Sequence, residues 1–185
     1  LLAYYRNRTD IAHPDIDLKN LAISKEEQKW ADDAMDHTFF VHKGYQPSYN
    51  YGKDINWEYW PVKDNELRWQ LHRHKWFTPM GKAYRISGDE KYAKEWVFQY
   101  IDWIKKNPLV KMEKENFELV SAGEVKEDAD NVHFAWRQLE VSNRLQDQTC
   151  QFLLFCPAEA FTPEFLTEFL VNYHRHGAYL FKNYS

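Results

Sequence analysis

At 185 residues and 22.4 kDa, the chain is long enough for one domain with a sizeable core. Hydrophobic residues at 44% and charged residues at 28%, with 8 Trp, 12 Tyr and 12 Phe, exclude disorder over most of the length. A formal net charge of −4 argues against a general nucleic-acid binder, and the longest unbroken apolar run, Phe152 to Cys156, is too short to span a bilayer.

The sequence opens on Leu1 with no basic-then-apolar leader, so no signal peptide is expected in this stretch. Ser24-Lys25-Glu26-Glu27 is a capping box and predicts a helix to about Phe39. Residues 41–63 hold Gly44, Pro47, Gly52 and Pro61 among many aromatic residues, which predicts a loop either packed over a core or lining a site. A second helix is predicted from about Asp64 to Tyr84, kinked or ended by Pro79. After the tight connection Ser87-Gly88-Asp89-Glu90, Tyr92, Trp96, Tyr100 and Trp103 recur at helical spacing until Asn107-Pro108.

Residues 109–132 are weakly patterned and acidic, with seven acids against two lysines between 113 and 130; a solvated loop or a hairpin is expected. Residues 134–156 form a further helical pattern, whose stripe Ala135, Leu139, Ser142, Gln146, Thr149, Leu153 and Cys156 is expected to face the core. Thr162 as N-cap, Pro163 at the first helical position and the Phe161–Leu166 staple start a last helix. With no period-two strand, the chain reads as all-α, built of antiparallel helical hairpins.

Six cations and two acids fall within 63–85, with Trp69, Trp76, Phe77 and Tyr84 interleaved. Rings stack on the apolar face of a pyranose and cations meet sulfate or carboxylate, so this block suits a sugar polyanion; the plainer reading is an amphipathic helix with a basic face. Arg137, Glu140 and Arg144 share one helical face, opposite the predicted stripe. They are either two intrahelical ion pairs or a cleft face in which Glu140 orients two guanidinium forks, with Trp136 as a stacking platform. His72-Arg73-His74 and His174-Arg175-His176 cannot close on one metal from a single helix, and no metal or cofactor motif is present. Cys150 and Cys156 point to opposite sides of one helix and read as buried small hydrophobes.

Ile55-Asn56-Trp57-Glu58-Tyr59-Trp60, Leu67-Arg68-Trp69-Gln70-Leu71-His72-Arg73-His74, Ser87-Gly88-Asp89-Glu90-Lys91-Tyr92-Ala93 and Trp103-Ile104 with Asn107-Pro108 resemble the N-terminal domain of the heparinase II/III family. Ala135-Trp136-Arg137-Gln138-Leu139-Glu140-Val141-Ser142-Asn143-Arg144-Leu145 resembles its second hallmark, with Gln138 where Pro is usual. Within the family the resemblance is to the heparan-sulfate lyases of polysaccharide lyase family twelve, the heparinase III branch.

It implies that residues 1–185 are one α-helical domain, the front part of an incomplete (α/α) toroid, without the catalytic segment and the β-sandwich that follow in the family. The implied reaction is β-elimination at a uronic acid, in which an Asn neutralises the carboxylate while Tyr and His exchange protons. These groups are implied to lie further along; Asn183 is not at the Asn position, and no catalytic residue is assigned here. The implied substrate-binding residues are Asn56, Trp57, His72, Arg73, Trp136, Arg137, Glu140 and Arg144. The implied partners are an anionic, heparan-sulfate-like polysaccharide and the C-terminal remainder of the same protein, in a periplasmic or secreted setting; no cofactor or nucleic acid is implied. A glycan-binding helical domain without catalysis, and a helical scaffold with protein contacts alone, are the competing readings.

Overall fold

The Ser24 hydroxyl accepts from the Glu27 backbone N–H at 3.1 Å while the Glu27 carboxylate accepts from the Ser24 N–H at 2.9 Å, so the capping box forms as read. The computed structural model describes residues 1–8, 10, 12–109 and 132–183. Its elements are α1 (Leu2–Asn7), α2 (Lys25–Ala34), β1 (Thr38–Phe39), β2 (Tyr49–Asn50), α3 (Asn65–Leu71), α4 (Phe77–Ser87), α5 (Glu90–Lys106), α6 (Val132–Ala135), α7 (Gln138–Phe155) and α8 (Pro163–Asn183). Strands β1 and β2 pair antiparallel and form the only sheet among the described residues. The acidic block and most of the predicted hairpin lie outside the described residues.

Helix α4 packs against α2, α5 and α7, and α7 packs against α8. Gly88, in the left-handed region at φ 71°, turns α4 into α5 within two residues, which makes the pair an antiparallel hairpin. A Cβ at Gly81 would meet Leu154 Cβ at 2.8 Å, so the close approach of α4 to α7 requires glycine. The core is aromatic. Trp96 stacks on Phe155 at 4.1 Å, and Phe39 stacks on Trp76 at 4.1 Å.

The 41–63 loop resolves to packing over the core: Tyr51, Ile55 and Trp57 are buried. Trp57 Nε1 donates to Asp102 at 2.8 Å, and Lys106 Nζ donates to the Ile55 carbonyl at 2.9 Å, which ties the loop to α5.

The single helix expected over 64–84 is two helices. Pro79 breaks nothing, because it lies in the first turn of α4, where its missing N–H has no intrahelical bond to lose. The break falls at residues 72–76, where His74 takes φ 55° and is buried against Trp57, Trp76, Phe77 and Trp103. Tertiary ring packing holds a backbone conformation that the sequence pattern does not announce.

Helix α7 is also turned differently from the expectation. Its inward face is Glu140, Val141, Arg144, Gln148, Gln151, Leu154 and Phe155, while Leu139 is 49% exposed and Gln146 is exposed. Of the expected stripe, Leu139 and Gln146 are therefore turned outward and Ser142, Thr149 and Leu153 are half-buried, while Ala135 and Cys156 at its two ends are buried. The face read as polar is the buried one, because Glu140 and Arg144 find charged and polar partners inside. The cysteines are free and buried, as expected.

Candidate functional site

Helix α7 begins at Gln138 with Arg137 as its N-cap, so Gln138 occupies the first helical position, where proline is also tolerated. From this start α7 sends Glu140 and Arg144 into the interior. Glu140 is 0% exposed, and its Oε1 accepts from Arg73 Nη2 at 2.8 Å. Arg137 Nη1 lies 3.6 Å from the same oxygen, and the Arg137 guanidinium sits 3.9 Å over the Trp69 ring. Arg73 also reaches Glu66 at 3.5 Å. One buried carboxylate thus bridges two guanidinium groups carried by different parts of the chain. Glu140 Oε2, Arg73 Nε and Arg137 Nη1 have no hydrogen-bond partner among the described residues.

Arg144 lies one helical turn deeper and is 1% exposed. Its Nε donates to His176 Nε2 at 2.8 Å and its Nη1 to the His72 carbonyl at 2.9 Å, and its guanidinium lies 4.4 Å over Trp103. Trp103 Nε1 donates to His72 Nδ1 at 3.1 Å, while Trp136 Nε1 donates to the Asn107 carbonyl at 2.9 Å. Burial draws the Arg144 guanidinium down to about 9, opposed by the charge of Glu140. Burial, and then the nearby Arg144 charge, hold His74 and His176 well below the ordinary imidazole value.

His72, Arg73, Trp136, Arg137, Glu140 and Arg144 therefore come together in one network. Asn56 does not join it: it is exposed and its side chain accepts from the Glu58 N–H at 3.0 Å. Trp57 is a core residue whose ring meets His74, which in turn packs on Trp103. A cleft face that presents both Arg137 and Arg144, one of the two readings of this helix face, does not form. Arg144 is enclosed, and the side chains of Arg73 and Arg137 are 12% and 39% exposed.

Arg73 opens onto a groove of about 520 Å³ between α2, the segment after β1, the α3–α4 turn and α7. Trp30 and Phe40 form one wall, stacked at 3.7 Å and 10°, and Lys43, Lys75 and Asp147 lie along it. Lys75 pairs with Asp147 at 2.8 Å. Cations and rings do share a groove, as the basic block suggested, but Lys82 is held by Glu27 at its edge and Arg68 lies over the Phe134 ring. Trp30, Phe40, Lys43 and Asp147 carry no sequence signal of their own; they are gathered by tertiary contact. His176 had one, since it lies in the second His-x-His.

The family model described as Heparinase II/III N-terminus matches residues 1–185. The chain is 69% identical over 185 residues to a heparin-sulfate lyase of Bacteroides stercoris, covering 100% of this chain and 28% of that protein. It is 46% identical over 192 aligned residues to a heparin-sulfate lyase of Pedobacter heparinus, covering 100% of this chain and 26% of that protein. A solved heparinase III with methylated lysines superimposes with a TM-score of 0.89 at 74% identity, over 100% of this chain and 28% of that one. A heparan sulfate lyase structure from Pedobacter heparinus gives 0.84 at 46% identity, over 100% and 27%. The chain thus spans a little over a quarter of these relatives.

Proposed function

The chain belongs to the heparinase II/III family through its N-terminal region, and on that premise we propose that it forms the non-reacting wall of the glycan cleft in a heparan-sulfate lyase. The parent protein would act by β-elimination at a uronic acid, with this chain as the front part of an (α/α) toroid. The observation that carries the reading is the groove beside Arg73, where a guanidinium fixed by buried Glu140 stands among lysines and a ring stack. A sulfated, carboxylated sugar chain is a line of anions on apolar rings, and such a groove answers both features.

In this reading Arg73 and Arg137 meet substrate, with Trp69 behind Arg137. Glu140 and Arg144 act on position alone, because they are buried. His72 and Trp136 hold Arg144 and α5 in place, and Asn56 and Trp57 set the loop beside them. β-Elimination needs a neutralised carboxylate, a base and an acid. The family resemblance puts these groups further along the polypeptide, so the chain by itself is inert. A polymeric polyanion does not cross an inner membrane unaided, which favours a periplasmic or secreted protein.

Two measurements test this. Heparan sulfate is incubated with the chain alone, and the ultraviolet absorbance of unsaturated uronate is followed; no rise is expected, and a sustained rise overturns the inertness. In the full-length lyase, Arg73→Ala is expected to raise KM by about tenfold to a hundredfold, the size of a lost hydrogen bond to a charged group. An unchanged KM in a folded variant overturns the wall.

A further inference from the structure

Around the groove, charge pairing is nearly complete. Lys75 is held by Asp147 at 2.8 Å, Lys82 by Glu27 at 2.5 Å, and Arg73 by Glu140 at 2.8 Å. Lys43 is different: it lines the groove, is exposed, and has no ion-pair partner among the described residues. The Trp30–Phe40 stack lines the same groove. Trp30 is half-buried, its ring lies flat on Phe40, and its indole N–H has no hydrogen-bond partner among the described residues. A ring already held by a neighbour loses little freedom when a ligand packs against it. An indole N–H is a donor with nothing to accept, so it suits a ligand rich in oxygen.

We propose that Lys43 and Trp30 form a sulfo-sugar subsite in the groove, with Lys43 reading a sulfate group and Trp30 supporting the pyranose that carries it. The subsite rests on the glycan reading above and refines it, by separating recognition of sulfate from recognition of the sugar ring. Arg73 is shared with a fixed carboxylate and so serves any anionic unit. Lys43 carries the one cation of the groove lining that is unneutralised among the described residues. Its contribution falls with added salt, because it is exposed.

The test is calorimetric titration of the full-length lyase, at low salt and at a temperature too low for turnover, with a sulfated heparan-type oligosaccharide and with its chemically desulfated counterpart. The proteins are wild type, Lys43→Ala, Lys43→Arg and Trp30→Ala, with Trp30→Phe as the variant that keeps a ring on Phe40. Wild type is expected to prefer the sulfated ligand by about threefold to tenfold, the size of one partly screened charge-assisted contact. Lys43→Ala should abolish the preference and Lys43→Arg should retain it. Trp30→Ala should weaken both ligands alike, and Trp30→Phe should weaken them less. A preference that survives Lys43→Ala overturns the subsite and leaves the glycan wall standing. Equal weakening of both ligands by Lys43→Ala overturns the sulfate assignment. Wild-type protein that binds neither ligand overturns the glycan reading itself, and the subsite falls with it.

Discussion

Glu140→Gln removes one negative charge from the interior and leaves the side-chain volume almost unchanged. In the folded chain that charge faces Arg73 at 2.8 Å and Arg137 at 3.6 Å, and it opposes the desolvation of Arg144. Removing one partner of a buried pair costs about 3–5 kcal/mol, because the other charge stays buried without compensation. Two features reduce the figure here: the amide oxygen still accepts from Arg73, and Glu66 stands 3.5 Å from the same guanidinium. The expected loss is about 2–4 kcal/mol. At about 2–4 °C per kcal/mol for a chain of this size, the Tm falls by about 5–15 °C. Arg137→Ala, at a side chain 39% exposed, should cost under about 1 kcal/mol. Urea unfolding of Glu140→Gln, Arg73→Met and the double variant gives the coupling, expected at about 1–3 kcal/mol. A Glu140→Gln protein within about 0.5 kcal/mol of wild type would refute the bridge as an energetic element.

Stability should also fall on acidification below about pH 6.5, the ordinary imidazole value. His74 and His176 are held neutral in the fold, so the unfolded chain binds more protons there; stability is full above this range and is lost as pH drops toward the folded values. The slope is about 1.4 kcal/mol per pH unit for each histidine. His176 Nε2 already accepts from Arg144 and its Nδ1 donates to the Asn172 carbonyl, so a proton on Nε2 breaks a bond as well as crowding a cation. Denaturant midpoints between pH 5 and pH 7.5 read the slope, and a flat profile contradicts the buried neutral assignment. Gly81→Ala should destabilise by about 1–3 kcal/mol, outweighing the helix-propensity gain of about 1 kcal/mol, because the new methyl meets two Leu154 carbons at 2.8 Å. A raised urea midpoint would mean that α4 and α7 separate freely.

Local chemistry was legible wherever a short motif decides the backbone. The Ser24 box, the Thr162–Pro163 start and the α5 periodicity each specify themselves within a few residues. Of the eight residues singled out from the hallmark runs, six sit in one network, while Asn56 and Trp57 stand outside it. What the sequence hid was direction. Along α7, Glu140, Arg144, Gln148 and Gln151 look like a solvated face, and only the arrival of Arg73, His72 and His176 from elsewhere makes burial tolerable. The same holds for His74, whose left-handed backbone is packed not only by its near neighbours Trp76 and Phe77 but also by Trp57 and Trp103, which come from distant parts of the chain. Helix α1 escaped notice because six residues carry too little periodicity, and the groove escaped because Trp30, Phe40, Lys43 and Asp147 share no motif.

Arg6, in α1, donates to the carbonyls of Cys156, Ala158 and Phe161 at 2.9, 2.6 and 3.0 Å. Those acceptors are 150, 152 and 155 positions downstream, in the turn that joins α7 to α8. On a ribosome that adds about 5–20 residues per second, α1 waits about 10–30 s for its docking surface to be made. Until Phe152 is made, Tyr5 lacks the ring it packs against, and a six-residue helix is not stable alone. A segment made well ahead of its docking surface is thus seated late, and its seating fastens α1 to the turn between α7 and α8.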